Sequence, residues 1–255
     1  MGLPVVTVAS GGLPIVESTV GGTPVTEATN GRGVPVTKVV GKPGLPVVFE
    51  TIGVGPSVPV LTTFATFDGV NTLVSLSNGN RTVTHNNTST NAGAVSTIAL
   101  SAGKYYFELA IQTSSGPVYN GIGAISSAWS GTFSSTQGAT NLTGVNPAVS
   151  SLIYSNGAST GLNLGSVAVA DIFCFALDLT ARLAWVRRNS GNWNNSGAAD
   201  PAAGIGGVAV TPTIAFRPYV SFAGSTVSTD TVTGNFGQSV FAFSKPSGFI
   251  SGWGT

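Results

Sequence analysis

Charge is the first thing this chain has little of. Of 255 residues, 10 are Lys or Arg and 9 are Asp or Glu, 7% in all, where an average soluble domain carries about a quarter. Solubility therefore rests on Ser, Thr, Asn and Gly. The net charge is +1, no run of like charges occurs, and Arg187-Arg188 is the only adjacent basic pair. That excludes nucleic acid as a main partner, because phosphate binding needs a basic stripe. The single cysteine, Cys174, excludes an internal disulfide; it stands in an apolar run and is expected to be a buried, inert thiol.

Other absences bear on catalysis. The only histidine, His85, lies in the polar stretch THNNTSTN, which reads as a loop carrying a surface imidazole. Without a His beside a Ser or Cys, no nucleophilic triad is legible. No metal is expected, since His, Cys, Asp and Glu nowhere cluster. No cofactor is expected either: GxxxxGK[ST] is missing, and Gly204-Ile205-Gly206-Gly207 has no helix after it. Glycoside hydrolysis needs two convergent carboxylates, and Asp68, Glu108, Asp171, Asp178, Asp200 and Asp230 are each isolated in sequence. No apolar run approaches the ~20 residues of a membrane span, and MGLPVVTVASGGLPIV lacks the basic-then-apolar plan of a signal peptide. The expectation is a non-enzymatic chain without a membrane partner.

What is present begins with a repeat. GLPVV from Gly2, GLPIV from Gly12, GTPVT from Gly22, GVPVT from Gly33 and GLPVV from Gly44 put Pro4, Pro14, Pro24, Pro35 and Pro46 at steps of ten or eleven residues. Proline fixes φ and donates no hydrogen bond, so it belongs at a strand's first residue or on an edge. Each unit reads as a short strand between permissive glycines. The apolar side chains of residues 1–60 are too few to offset the ordering of sixty backbones. This segment is therefore expected to wind with other copies or to add strands to another protein's edges. Eight of the 14 prolines precede residue 60, and GVGPSVPV from Gly53 to Val60 reads as a hinge. Two domains follow: an attachment and oligomerisation arm, 1–60, and a second domain, 61–255.

From Leu61 the text becomes short alternating runs separated by Gly, Ser, Asn and Thr. Strands are expected at 72–76, 81–84, 95–100, 104–112, 121–125, 151–154, 172–177, 183–187, 214–222 and 232–236, with no sustained helical period. Many short strands with frequent turns indicate an all-β fold, an antiparallel sandwich. In GKYYFELAIQ, Tyr105, Phe107, Leu109 and Ile111 share the core face, while Lys104, Tyr106, Glu108 and Gln112 lie under solvent or a polar cover. Phe173 to Trp185 reads as a hairpin apolar on both faces, hence mid-sheet.

In order along the chain stand GKYYFE from Gly103, GIG from Gly121, YSNG from Tyr154, ALDLTARLAWVRR from Ala176, GNWNNSG from Gly191 and GNFGQSVFAF from Gly234. This series resembles SPRY domains, particularly those of phage and prophage origin, over Leu61 to about Gly248. The resemblance implies a β-sandwich used for recognition. Two departures are Thr180-Ala181-Arg182 at a turn where many relatives carry Asp-Gly, and a Gly/Ser/Thr-rich insertion from Gly131 to Val149. The repeat, over residues 2 to about 53, resembles the GLPV-type N-terminal repeats of tailed-phage structural proteins, which implies attachment to a particle.

Together these resemblances imply a virion surface protein of a tailed bacteriophage: a head fibre or decoration protein, or a small tail or collar fibre. It would be made in the host bacterial cytoplasm and bound through its arm to other virion proteins. A homo-oligomer is expected, a trimer by analogy to phage fibres, with host-surface glycan or protein as the ligand class. The aromatic and basic residues near strand ends, Tyr119, Trp129, Tyr154, Arg187, Arg188 and Trp193, are the candidate ligand contacts, since aromatic faces stack on sugars or anchor proteins and Arg offers a planar donor fork. Two other classes stay open: a capsular polysaccharide depolymerase and a cellular SPRY adaptor that binds peptides.

Overall fold

The computed structural model describes residues 61–68, 73–86, 89–113, 119–129, 133, 143–146, 152–210, 215–224 and 229–255, together with strands in the first sixty residues. The chain divides into two compact units, Met1–Ser57 and Val58–Thr255.

In the first unit, β1 (Ile15–Val20), β2 (Thr23–Thr29), β3 (Pro35–Val40) and β4 (Val48–Thr51) form one antiparallel sheet in chain order. Pro35 opens β3 and Pro24 is the second residue of β2, the strand-start placements that a missing N–H allows. Pro4, Pro14, Pro46 and the Gly53–Val60 hinge lie outside the described residues. Glu27 pairs in register with Lys38, and Lys38 with Glu50.

The second unit contains β5 (Phe67–Asp68), β6 (Val74–Ser77), β7 (Thr82–His85), β8 (Ala92–Ser96), β9 (Lys104–Thr113), β10 (Tyr119–Ser126), β11 (Thr143–Asn146) and β12 (Leu152–Ser155). It continues with β13 (Ala158–Asn163), β14 (Ile172–Asp178), β15 (Leu183–Arg188), β16 (Val208–Ala209), β17 (Phe216–Phe222), β18 (Thr231–Asn235) and β19 (Ile250–Ser251). They build two sheets, one ordered β13-β12-β11-β10-β17-β8-β5 and the other β16-β15-β14-β9-β18-β7-β6. All pairings are antiparallel except β19 against β9.

Between the sheets lies the core. Phe107, Leu109 and Ile111 of β9 and Phe173, Phe175 and Leu177 of β14 come from one side; Ile122, Ala124, Phe216, Val220 and Phe222 come from the other. Phe107 and Phe175 stack with centroids 5.0 Å apart, a cross-strand pair whose residues are direct register partners. Trp253 closes the core beside Tyr105 and Phe107, and its indole N–H donates to the Ile98 carbonyl at 2.9 Å. The two ends of the unit meet, since Thr62 and Thr63 N–H both donate to the Thr255 carbonyl and Thr255 N–H donates back to Thr63.

The alternation in β9 and the mid-sheet position of the β14–β15 hairpin agree with the sequence reading, and Cys174 is buried on β14. Three expectations are corrected. His85 is not a surface imidazole: it ends β7, is 0% exposed, stacks on Phe222 of the opposite sheet and bonds the Thr90 carbonyl. Among the polar residues that follow it, Thr90 brings its carbonyl to the ring. Tyr106 and Glu108 are buried under aromatic side chains from the C-terminal segment, where solvent or a polar cover was expected. Strand β8 spans 92–96 where 95–100 was expected. Its small residues are explained by Gly93, where a Cβ would collide with the Val220 carbonyl and lie 2.5 Å from the Phe133 ring.

Candidate functional site

The outer face of the second sheet carries the most chemically varied set of side chains among the described residues. Alternation aims Tyr106 and Glu108 of β9, Ile172, Cys174 and Ala176 of β14, and Leu183, Trp185 and Arg187 of β15 away from the sandwich core. Glu108 pairs with Cys174 and Cys174 with Arg187, so acid, thiol and guanidinium sit in one row across three strands. Over this row runs a strap, residues 238–249, whose Phe241, Phe243 and Phe249 pack onto it.

Glu108 pins the strap. Its Oε1 accepts from the Phe243 N–H at 2.9 Å and the Tyr106 hydroxyl at 2.7 Å, and its Oε2 accepts from the Ala242 N–H at 2.9 Å. Bonds from neutral donors to a carboxylate are about twice as strong as neutral pairs, which is why an acid with only 3% exposure is tolerated here. On the β15 side of the strap, Arg187 lies over the Trp193 ring at 4.5 Å and near Phe243 at 5.9 Å, and its Nη2 donates to the Ser244 carbonyl at 2.8 Å. Among the described residues its Nε is buried without a hydrogen-bond partner.

Trp193 is held in place by its neighbour. Asn194 is buried in a left-handed conformation (φ 49°), accepts from Val186 N–H and donates to the Gly206 carbonyl, both at 2.9 Å. Asn tolerates that φ where a β-branched residue would not. The GNWNNSG loop is thereby stitched to β15, and Trp193 stands half-buried between Arg187 and Tyr106.

Buried beneath, Cys174 is inert as a nucleophile. Burial pushes its thiol up to about 11, with the nearby Glu108 charge adding to the rise while the Tyr106 hydroxyl and Arg187 work against it. Burial pushes the Tyr106 hydroxyl up as well, so both stay protonated at neutral pH.

Beyond the strap, toward β18, the same face opens into a depression of about 220 Å³ lined by Glu108, Ala110, Ile172, Thr233, Asn235, Val240 and Ala242. At its rim Val240 is 95% exposed.

The structure brings together two of the six expected contact residues, Arg187 and Trp193. Arg188 points to the opposite face of β15 and pairs with Asp171 at 3.6 Å. Trp129 follows β10 of the other sheet, and its ring packs 5.1 Å from Phe133 against a cluster with Val95, Ile125 and Tyr219. Phe133 thus anchors the inserted segment, its carbonyl accepting from Ser221 Oγ at 2.8 Å. Tyr154 is a half-buried residue of β12 in that same sheet. Tyr119 opens β10, and its side chain lies outside the described residues. Sequence reasoning passed over Phe243 and Val240 and set Glu108 aside as one of the isolated carboxylates; the signal there was an acid inside an otherwise apolar strand.

Several of the isolated carboxylates have structural work. Asp171 binds Ala168 N–H and the Asn189 amide, Asp178 caps the hairpin turn through Thr180 and Ala181 N–H while pairing with Lys104 at 3.1 Å, and Asp200 accepts from Ala202 N–H. Each sits at a turn, as short acids commonly do.

No family profile and no curated protein sequence matches the chain. Solved structures do. The SPRY domain of human HERC1 superposes with a TM-score of 0.53 at 15% identity over 68% of this chain and 99% of that one. The PSpry domain of TRIM65 gives 0.50 at 14% identity over 68% and 92%. At such identities the likeness speaks to architecture alone, and the architecture of this chain is that of a SPRY-like β-sandwich.

Proposed function

We propose that this chain is a non-enzymatic virion surface protein of a tailed bacteriophage, anchored by its N-terminal arm and displaying the sandwich as a binding module. It is a head fibre or decoration protein, or a small tail or collar fibre, made in the host bacterial cytoplasm and displayed on the virion surface. The observation that carries this reading is the joining of a five-fold GxPV repeat to a SPRY-like sandwich in one chain.

The sandwich is built to present surfaces. Its sheets are bound by a single aromatic core, and three of its four outermost strands are blunted: β5 and β16 have two residues each, and β13 is irregular in register and contains Gly161 at φ 76°, while the fourth, β6, is a regular strand of four residues. Short and irregular edges resist strand addition. Association between copies is assigned to the arm, whose repeats supply strand after strand, and a trimer is the proposed state. The Arg187–Trp193 pair with Phe243 offers a contact surface of the kind that recognises host glycan or protein.

A second reading is favoured by one observation, that the matched structures are SPRY domains of HERC1 and TRIM65: a cellular SPRY module that binds peptides. Immunogold labelling of purified intact particles separates the two. Label at a fixed particle position supports the virion reading and distinguishes head from tail. Unlabelled particles, with the protein left in the particle-free fraction, overturn it.

A further inference from the structure

The depression beyond the strap has a definite chemistry. Its floor is Ala110, which stands in register between Ile172 on β14 and Thr233 on β18. One methyl between two larger neighbours leaves the gap, and Val240 and Ala242 of the strap wall it on the other side. At about 220 Å³ the space falls below the ~300–1,000 Å³ of small-molecule sites, and it matches a single side chain better than a whole ligand.

Its polar atoms are acceptors. Ionised Glu108 has about four lone-pair positions; Oε1 uses two, for Tyr106 and Phe243, and Oε2 uses one, for Ala242. Asn235 spends its amide N–H groups on the Ser239 and Val240 carbonyls, while among the described residues its Oδ1 takes only Gly237 N–H. No Lys or Arg lines the depression, and no ion pair to Glu108 is present among the described residues. A nearly buried negative charge, one spare acceptor on each of two side chains, and aliphatic walls together call for a cation on an aliphatic stem.

We infer that this depression is an anchor site for one lysine side chain presented by a partner protein. The stem lies along Ile172, Ala110 and Val240, and the ammonium meets Glu108 Oε2 and Asn235 Oδ1. Lysine fits better than arginine because the spare acceptors are single and on different side chains, which suits a point charge with rotatable donors over a planar fork. A protein, rather than a free amine, is the source because Val240 at 95% exposure extends the apolar contact past the cavity mouth. The inference concerns the purified chain and does not depend on where the protein is displayed.

The test is a methyl NMR titration of the full chain with acetyl-Ser-Val-Lys-Val-Ser-amide, against the same peptide carrying norleucine in place of lysine. Saturable shifts at the Ala110, Ile172, Val240 and Ala242 methyls are expected with the lysine peptide, and about tenfold weaker binding with norleucine, the loss typical of removing a charge-assisted bond. Ala110→Leu, which fills the floor without touching a Glu108 bond, abolishes the shifts. Val240→Lys, a fully exposed rim change that the fold tolerates, weakens them by like-charge repulsion. Equal affinity for the two peptides, absence of saturable shifts in the unaltered protein, or undiminished binding by Val240→Lys overturns the assignment.

Discussion

His85 and Phe222 face each other across the sandwich with ring centroids 5.4 Å apart and planes 13° from parallel, joining the end of β7 to the end of β17. The imidazole Nε2 lies 2.9 Å from the Thr90 carbonyl. Since a carbonyl only accepts, Nε2 carries the proton. The one histidine of the chain is thus a tie between two sheets and not a reagent.

Replacing it tests that role. His85→Ala removes a fully buried ring and its hydrogen bond to the Thr90 carbonyl, so a loss of about 2–4 kcal/mol in unfolding free energy is expected. Urea titration with an unchanged m-value measures it. A change under about 0.5 kcal/mol, the size of an ordinary surface substitution, contradicts the packing account.

The same residue shows where sequence reading succeeds and where it fails. Period-two alternation through Tyr105, Phe107, Leu109 and Ile111 was legible because burial on one face writes itself into the spacing, and so was the Phe173–Trp185 hairpin. His85 was not legible, because its burial comes from Thr90 folding back over it and from Phe222, which is 137 positions away. The outer face of β9 misled for a related reason. Lys104, Tyr106 and Glu108 look solvated until a strap from the far end of the chain is known to cover two of them. Of the contact residues, Arg187 and Trp193 come together because the short turn at residues 189–192 returns the chain to the strand it left, whereas Arg188, next in sequence, faces the other way by strand geometry alone.

Alkaline pH should loosen this face. The Cys174 thiol, raised by burial from 9.0 to about 11, and the Tyr106 hydroxyl, also raised by burial, both have folded pKa values above their unfolded ones. The stability the thiol contributes is complete below its unfolded value of 9.0 and is lost as pH rises through about 11, whereas that of the hydroxyl is complete below its unfolded value of 10.0 and is lost only above it. Thermal melts should therefore be level to about pH 8.5 and fall between pH 9 and 11. Cys174→Ala should flatten part of that fall, on the order of 2 kcal/mol at its end. Melts of Cys174→Ala that track the unaltered protein through pH 11 would show that the thiol contributes nothing.

A double-mutant cycle addresses the Arg187–Trp193 contact. Trp193→Ala and Arg187→Met are each expected to destabilise, with a coupling of about 0.5–2 kcal/mol for a partly desolvated cation over an indole face. If the two changes prove additive within about 0.3 kcal/mol, the stacking is incidental and Trp193 is free to serve a ligand instead.

The last expectation concerns how the two units divide the work. The sandwich has its own buried core and hydrogen-bonded ends, with Thr62 and Thr63 tied to Thr255, so residues 61–255 should be a soluble monomer with a cooperative melt. Among its described residues the arm is a single antiparallel layer of four strands, and one layer has two faces and two edges where a stable domain packs at least two layers. Residues 1–60 alone should lack ordered β signal by circular dichroism, while the full chain should sediment as an oligomer. A cooperative melt from the isolated arm at low micromolar concentration would mean that it closes its own core, and the case for attachment through that segment would then fail. An oligomer that persists after the arm is removed would move the interface to the sandwich, where the blunted edges of β5, β13 and β16 leave the regular edge strand β6 and the outer faces to supply it.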